Sequence, residues 1–183
     1  MNENEQIREN VLSACLKSGA LYAAYLPADS IVYDRSFRDI CKSNSCGHYG
    51  KCYMCPPDCG DINTLMESVQ QYRNCVLWES VGKLEDSFDI EGMIEAKKAH
   101  MNISVKAAAA VAELGINHLY LDPGACGICT SCQKKEGLPC VHPELAHTSP
   151  EACGIFVSET AKRAGLKYIN GKNTVTYFSM ILF

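Results

Sequence analysis

One run of cysteines in this chain has the spacing of a metal-binding loop. Cys126, Cys129 and Cys132 follow one another at steps of three, and seven residues separate Cys132 from Cys140. Bacterial ferredoxins use C-x2-C-x2-C runs to hold a [4Fe–4S] cluster, whereas structural zinc sites more often use two separate C-x2-C pairs. The spacing favours a [4Fe–4S] cluster on these four cysteines, with zinc as the alternative.

A second group of thiols precedes that run, in a segment over residues 35–60 without apolar periodicity. A loop this long inside a compact domain is usually functional or disordered, and its thiols favour a second metal site. The predicted ligands are Cys41, Cys46, Cys55 and Cys59, and Cys55 precedes a proline, as ferredoxin ligands often do. Spacing alone leaves the choice open, and one metal site with spare cysteines is the simpler alternative.

Composition and charge exclude several classes of protein. Lys and Arg number 17 against 21 Asp and Glu, a formal charge of −4, so the basic excess of a nucleic-acid binder is missing. No stretch approaches the roughly 18 consecutive apolar residues of a membrane span. The acidic start over residues 1–6 is unlike a secretory signal. We therefore expect a cytoplasmic protein whose twelve cysteines stay reduced instead of forming a disulfide framework.

Helices and strands must position these loops, and they alternate along the rest of the chain. This order predicts one α/β layered domain over residues 1–183, with helices packed on a small sheet of about four strands in an order left open. Two long cysteine loops, at about 35–60 and 123–150, interrupt it. The apolar periodicity predicts helices at 5–17, 61–72, 89–114 and 158–165, and strands at 20–26, 75–81, 117–122 and 174–183.

Two stretches resemble the signatures of a known family. The first is Cys46-x2-Tyr49-Gly50-x4-Cys55-Pro56-Pro57, and the second is Gly124-Ala125-Cys126-x2-Cys129-x2-Cys132 followed by Gly137-x2-Cys140-x-His142-Pro143-Glu144. Further similar positions lie at Ser149, Glu151-Ala152, Gly154-Ile155, Val157 and Ala164-Gly165-Leu166. Over residues 40–170 the chain thus resembles DUF2284, a family of predicted metal-binding proteins. The resemblance implies metal or iron–sulfur binding and no assigned reaction.

The chain departs from that family pattern in three places. Where the family is expected to have Arg-Pro-Ser-Met, this chain has residues 147–150, His-Thr-Ser-Pro, and Phe156 replaces an expected aspartate. Cys52 and Cys59 are additional to the pattern. The fourth ligand of the first site therefore stays open among Cys52, Cys59 and His48.

Other reactive side chains have simpler interpretations. Cys15 and Cys75 lie in apolar patterns, which predicts core thiols, and Cys153 is a spare thiol beside the second loop. His142 is more typical of a hydrogen-bonding neighbour of a metal site than of a ligand, and His100 and His118 are expected to be structural or exposed. Lys134 and Lys135 form either a solvated face or a docking patch for an acidic electron carrier.

Three functions fit these observations. The first is an iron–sulfur protein, with one or two clusters, that transfers electrons to or from a redox partner protein. The second is a zinc-binding structural or regulatory module. The third is a metalloenzyme with an open metal position between the two loops, which leaves enzymatic activity undecided. Neither nucleic acid nor a membrane is expected as a partner, and the oligomeric state is open.

Overall fold

The structure, a computed structural model, describes residues 2–183 and contains a four-stranded antiparallel sheet with helices on both faces. The strand order is β1-β2-β4-β3. The strands are β1 (Tyr22–Pro27), β2 (Asn74–Lys83), β3 (Leu119–Leu121) and β4 (Thr174–Leu182). The helices are α1 (Glu3–Lys17), α2 (Phe37–Lys42), α3 (Ile62–Gln70), α4 (Ile90–Ala112) and α5 (Val157–Arg163). The predicted α/β fold with about four strands is confirmed.

The two central strands explain why the sheet sequences are so apolar. β2 and β4 each have a neighbour on both sides, and both of their faces are covered by helices. Along β2, Cys75 and Leu77 face one layer while Val76 and Trp78 face the other, and all four are fully buried. A strand covered on both faces has no solvated face, so its sequence is a continuous apolar run.

Two apolar cores result, one on each face of the sheet. The first core lies under α1 and α4 and includes Val11, Ala107, Val111 and Ile181. The second lies under α3 and α5 and includes Val69, Ile155, Ala161, Phe178 and Met180. None of the helices over residues 2–183 combines the length and the apolar character that crossing a bilayer requires.

Helix α2 was not predicted, because the segment over 35–60 was expected to be irregular throughout. It spans Phe37–Lys42 and has no buried residue. Phe37 at its start packs edge-on against Phe156, with ring centroids 5.4 Å apart. That contact joins parts of the chain that are far apart in sequence, so no local periodicity could reveal it.

The helix ends follow capping chemistry. α1 begins two residues earlier than predicted because Asn2 and Glu5 form a reciprocal capping box. Asp89 accepts a hydrogen bond from the backbone N–H of Gly92 at the start of α4. Polar caps at both helices replace hydrogen bonds that the first turn cannot make for itself.

Three cysteines outside the two loops are buried in the cores. Cys15 and Cys75 are fully buried, as predicted. Cys153 is also buried and belongs to the core under α3 and α5. Burial raises the pKa of Cys15 to about 12 and that of Cys153 to about 12, so both are core thiols that keep their protons.

A chain of polar side chains runs through the core under α4. His100 is fully buried, with Nδ1 2.7 Å from the hydroxyl of Ser80 and Nε2 2.7 Å from that of Ser179. Because Ser179 donates its own proton to Asp122, the Nε2–H of His100 donates to Ser179. Burial favours the neutral imidazole, in which Nδ1 accepts from the hydroxyl of Ser80.

This arrangement predicts a pH dependence of stability. Burial lowers the pKa of His100 from 6.5 to about 4, and the Asp122 carboxylate, 3.8 Å away, opposes that shift. Below pH 6.5 the His100 side chain binds a proton in the unfolded chain, but in the folded chain it does so only near pH 4. The contribution of His100 to the free energy of unfolding is therefore complete above pH 6.5 and decreases as the pH falls. The difference in unfolding free energy between wild type and His100→Asn should be about 2 kcal/mol smaller at pH 5 than at pH 7.5. Denaturant titrations would measure it, and an unchanged difference would contradict the neutral, buried imidazole.

Gly82 marks a close approach between β2 and α4, which generates a second prediction. A Cβ at Gly82 would lie 2.3 Å from the Cβ of Ala96, so Gly82→Ala should lower stability by about 1–3 kcal/mol through overpacking. Ala96→Gly alone should cost about 1 kcal/mol as a helical glycine. The double variant should lose less than the sum of the two, because the second change restores the space. If the stability losses measured by thermal unfolding are additive, the contact between Gly82 and Ala96 is not the cause of the loss in Gly82→Ala.

Candidate metal centre

The two cysteine loops meet side by side, and three polar contacts join them. The hydroxyl of Tyr53 donates to the carbonyl of Leu138 over 2.8 Å, and the hydroxyl of Thr148 donates to the carbonyl of Met54 over 2.9 Å. Lys134 forms an ion pair with Asp58. These contacts hold residues 53–58 of the first loop against the second loop.

The four predicted ligands of the first site are neighbours in the structure. Cys41, Cys46 and Cys55 line a cavity of about 280 Å³ between the loops. Cys59 lies behind them, where its thiol neighbours both Cys41 and Cys55. The four cysteines predicted as ligands of the first site therefore lie near one another, which their spacing in the sequence did not establish.

Helix α2 supplies this first set with a positive charge. Burial raises the pKa of Cys41, and the guanidinium of Arg38 opposes that increase. The same balance applies to Cys59, whose pKa burial raises and the Arg38 guanidinium lowers. A cation that favours the thiolate form prepares a cysteine for metal ligation.

Four separate parts of the chain contribute polar groups to the remaining wall of this cavity. Lys97 of α4 and the backbone of Gly124 contribute to it, together with His48 and Glu151. A Cβ at Gly124, where φ is +77°, would lie 2.7 Å from the ammonium nitrogen of Lys97. The close approach of loop and lysine therefore requires glycine at this position.

The four predicted ligands of the second site also line one cavity. Cys126, Cys129, Cys132 and Cys140 surround a narrow space and are partly exposed. Gly127 permits the tight course of this run, because a Cβ there would lie 2.2 Å from the terminal methyl group of Met101 on α4. The loop is thus packed directly against the long helix.

A fifth thiol, Cys52 of the first loop, lies in this second cavity. Its exposed fraction is 3%, the lowest of the nine loop cysteines. The neighbouring Cys55 thiol lowers the pKa of Cys52 to about 5, assisted by the Cys132 thiol and the backbone N–H of Cys126. Conversely, the Cys52 thiol raises the pKa of Cys55. Cys52 was considered as a fourth ligand of the first site, and the structure places it with the thiols of the second.

Two residues at departures from the family pattern, His147 and Thr148, lie next to the second site. Burial raises the pKa of the Cys126 thiol, and the backbone N–H groups of Ile128 and His147 oppose that increase. The His147 ring is buried, with Nε2 3.7 Å from Asp122 and without a hydrogen-bond partner. Thr148, the next residue, holds Met54 as described above. Both side chains support the loop instead of contributing metal donors.

The other predicted polar residues lie around the two sites in different roles. His48 lines the first cavity, and His142 lines the second but is exposed. Lys134 pairs with Asp58 and lies over the ring of Tyr53, 5.2 Å from its centroid. Lys134 therefore joins the two loops instead of forming a free face with Lys135, which is exposed.

The donor chemistry of both sites fits a thiolate-bound metal. Each cavity has at least three cysteine sulfurs, the ligands that both iron–sulfur clusters and structural zinc use. Over residues 2–183, no group of three or more Cys, His, Asp or Glu side chains is arranged to hold a metal ion in the present side-chain positions.

Sequence reasoning missed three residues of this region. Arg38 and Lys97 approach the first site from helices, and neither belongs to a cysteine motif. The placement of Cys52 was also missed, although its C-x2-C spacing with Cys55 is itself a ligand signal. The two cysteines of such a pair are usually assigned to one metal site. Here Cys52 and Cys55 line two different cavities.

Comparisons with known proteins give one match. A family model described as a predicted metal-binding protein (DUF2284) matches residues 24–183. Neither the curated proteins nor the solved structures contain a match to the chain. The matched residues include both cysteine loops and all four strands except the first two residues of β1. The chain therefore belongs to the DUF2284 family of predicted metal-binding proteins.

Proposed function

We propose that this protein carries two [4Fe–4S] clusters and transfers single electrons to or from a partner protein. The observation that carries the proposal is the division of the loop thiols into two sets, each around its own cavity. Cys41, Cys46, Cys55 and Cys59 would hold one cluster. Cys126, Cys129 and Cys132 would hold the other, with either Cys140 or Cys52 in the fourth position.

The donor set favours iron–sulfur clusters over zinc. The second set keeps the C-x2-C-x2-C run of ferredoxins, and all of its inner donors are sulfur. When bound, such a cluster supplies one-electron redox chemistry. The chain's own contribution is to orient and neutralise the thiolates, through Arg38 at the first set and the His147 N–H at the second. Hydrogen bonds to ligand sulfurs also tune the reduction potential.

The two sets lie close enough to act together. Cys52 in the second cavity is separated by only two residues from Cys55 of the first set, and the two thiols shift each other's pKa. Two centres joined by neighbouring thiols suit the passage of electrons from one centre to the other. This arrangement supports an electron-transfer protein in which one centre receives electrons and the other releases them.

A surface for the partner lies beside the second set. Leu138, Val141 and Leu145 are each more than half exposed and lie on the same loop as Cys140. An apolar patch next to a metal centre suits brief docking, which places a partner's cofactor near the cluster. The partner would therefore bind at the face around Cys140.

Metal analysis of anaerobically purified protein tests this proposal. The protein should be brown, with about eight iron and eight sulfide ions per chain, four of each per cluster. Dithionite should bleach its visible absorption, and air-oxidised mediators should restore it. Colourless protein with stoichiometric zinc would contradict the proposal and favour the structural or regulatory module.

A metalloenzyme is the second candidate, and the cavity between the loops favours it. Lys97 and Glu151 line this space together with Cys41 and Cys46. Burial raises the pKa of Glu151, which favours its protonated form. A small polar molecule could bind there next to a metal with an open position.

A variant that isolates the first centre distinguishes the enzyme from the electron carrier. In the double variant Cys126→Ala/Cys129→Ala, only three thiols remain around the second cavity, so the second centre should lose its metal and leave the spectrum of the first. Adding imidazole or cyanide should shift that spectrum if the first centre has an open position. A spectrum that no added ligand changes would exclude the second candidate.

Removal of metal should release the loops but leave the layered core. Residues 35–60 and 123–150 bury few apolar side chains, so metal–thiolate bonds must supply most of the free energy that orders them. After anaerobic chelation, limited proteolysis should cut within these two segments, whereas α4 and β4 stay intact. Equal resistance before and after chelation would mean that packing alone holds the loops.

A further inference from the structure

Five thiols surround the second cavity, although a cluster of four irons takes four protein ligands. Cys126, Cys129 and Cys132 belong to one continuous run and are inner donors. The fourth position can be filled by Cys140 of the same loop or by Cys52 of the first loop. The surroundings of these two thiols differ in burial and in support.

Cys52 is placed in this cavity by the structure around it. It directly precedes Tyr53 and Met54, whose contacts to Leu138 and Thr148 join the loops. Its sulfur is almost fully enclosed and has the Cys132 thiol and the N–H of Cys126 as neighbours. A sulfur held among two members of the run is already in the position of a ligand.

Cys140 is less enclosed than Cys52. It is partly exposed and lies between Leu138 and Val141, both of which are more than half exposed. The nearest contact with the first loop along the chain is the hydrogen bond from Tyr53 to the Leu138 carbonyl. The greater exposure of Cys140 suits an accessible thiol better than an inner ligand.

We propose that Cys52 is the fourth ligand of the second centre, together with Cys126, Cys129 and Cys132. Cys140 is then a free, partly exposed thiol. This inference rests on the proposed function in requiring a metal centre in the second cavity. It does not depend on whether that centre contains iron or zinc.

If Cys52 is a ligand, the first loop supplies one ligand to the metal centre of the second loop. Cys52 and Cys55 are one C-x2-C pair, but Cys52 faces the second cavity and Cys55 the first. In two-cluster ferredoxins the fourth cysteine of a ligand run likewise binds the other cluster. The second centre can then form only when the first loop is folded against it, so the loops order together.

Reciprocal variants test the assignment by metal content. Cys52→Ala should lose about half of the bound iron, or else retain it by recruiting Cys140. Cys140→Ala should keep the wild-type iron content and visible spectrum. The assignment is overturned if Cys140→Ala loses half of the iron, or if Cys52→Ala changes neither the iron content nor the reactivity of Cys140.

Alkylation of the unmutated protein avoids any dependence on the folding of a variant. In the metal-loaded protein, iodoacetamide followed by mass spectrometry should modify Cys140 and leave Cys129 protected. Cys46 is the matched control, because it is more exposed than Cys140 but is a proposed ligand and should be protected. In Cys52→Ala that retains its metal, Cys140 should become protected. Protection of Cys140 in wild type to the extent seen for Cys129 would overturn the assignment.

The same experiments separate this inference from the proposed function. If the wild type contains zinc instead of iron and sulfide, the electron-transfer proposal fails, and the zinc content of the two variants still decides between Cys52 and Cys140. If the wild type binds iron and only Cys140→Ala loses it, the function stands and the Cys52 assignment fails. Wild type that binds no metal overturns both.

Discussion

The contact between the two cysteine loops is the interaction on which the site depends. These loops hold nine of the twelve cysteines, and few of their apolar side chains are buried. Ordering such long segments costs conformational entropy that an apolar core normally offsets. Here three contacts, centred on Tyr53, Thr148 and Lys134, bring the loops together. They create two neighbouring sets of thiols, and metal bonds to those sets can supply the rest of the ordering free energy.

The layered core provides the fixed surface against which this contact forms. Helix α4 packs on β2 at Gly82, and its outer side meets the second loop at Gly124 and Gly127. At each of these positions a side chain would collide with Ala96, Lys97 or Met101. The long helix, of 23 residues, thus packs on the sheet and against the second cysteine loop.

The sequence predicted four of the five helices and all four strands, because each of these elements has an apolar pattern, which α2 lacks. It could not order the strands, since β2 and β4 are apolar on both faces and their patterns do not identify a neighbour. Spacing identified the run from Cys126 to Cys132 for the second cavity. The position of Cys52 was out of reach, because it depends on side-chain contacts between loops that are distant in the sequence.

Contacts with the sheet hold the two ends of the second loop together, which limits the entropy lost when the loop becomes ordered. The backbone N–H of Asp122, just after β3, donates to the carbonyl of Thr148 over 3.2 Å. The Asp122 carboxylate in turn accepts from Ser179 of β4 and faces His147. Both ends of the loop are therefore fixed at one point of the sheet edge, and the entropy of closure depends only weakly on the length between them. A loop anchored in this way can carry a run of exposed polar residues and thiols without destabilising the core beneath it.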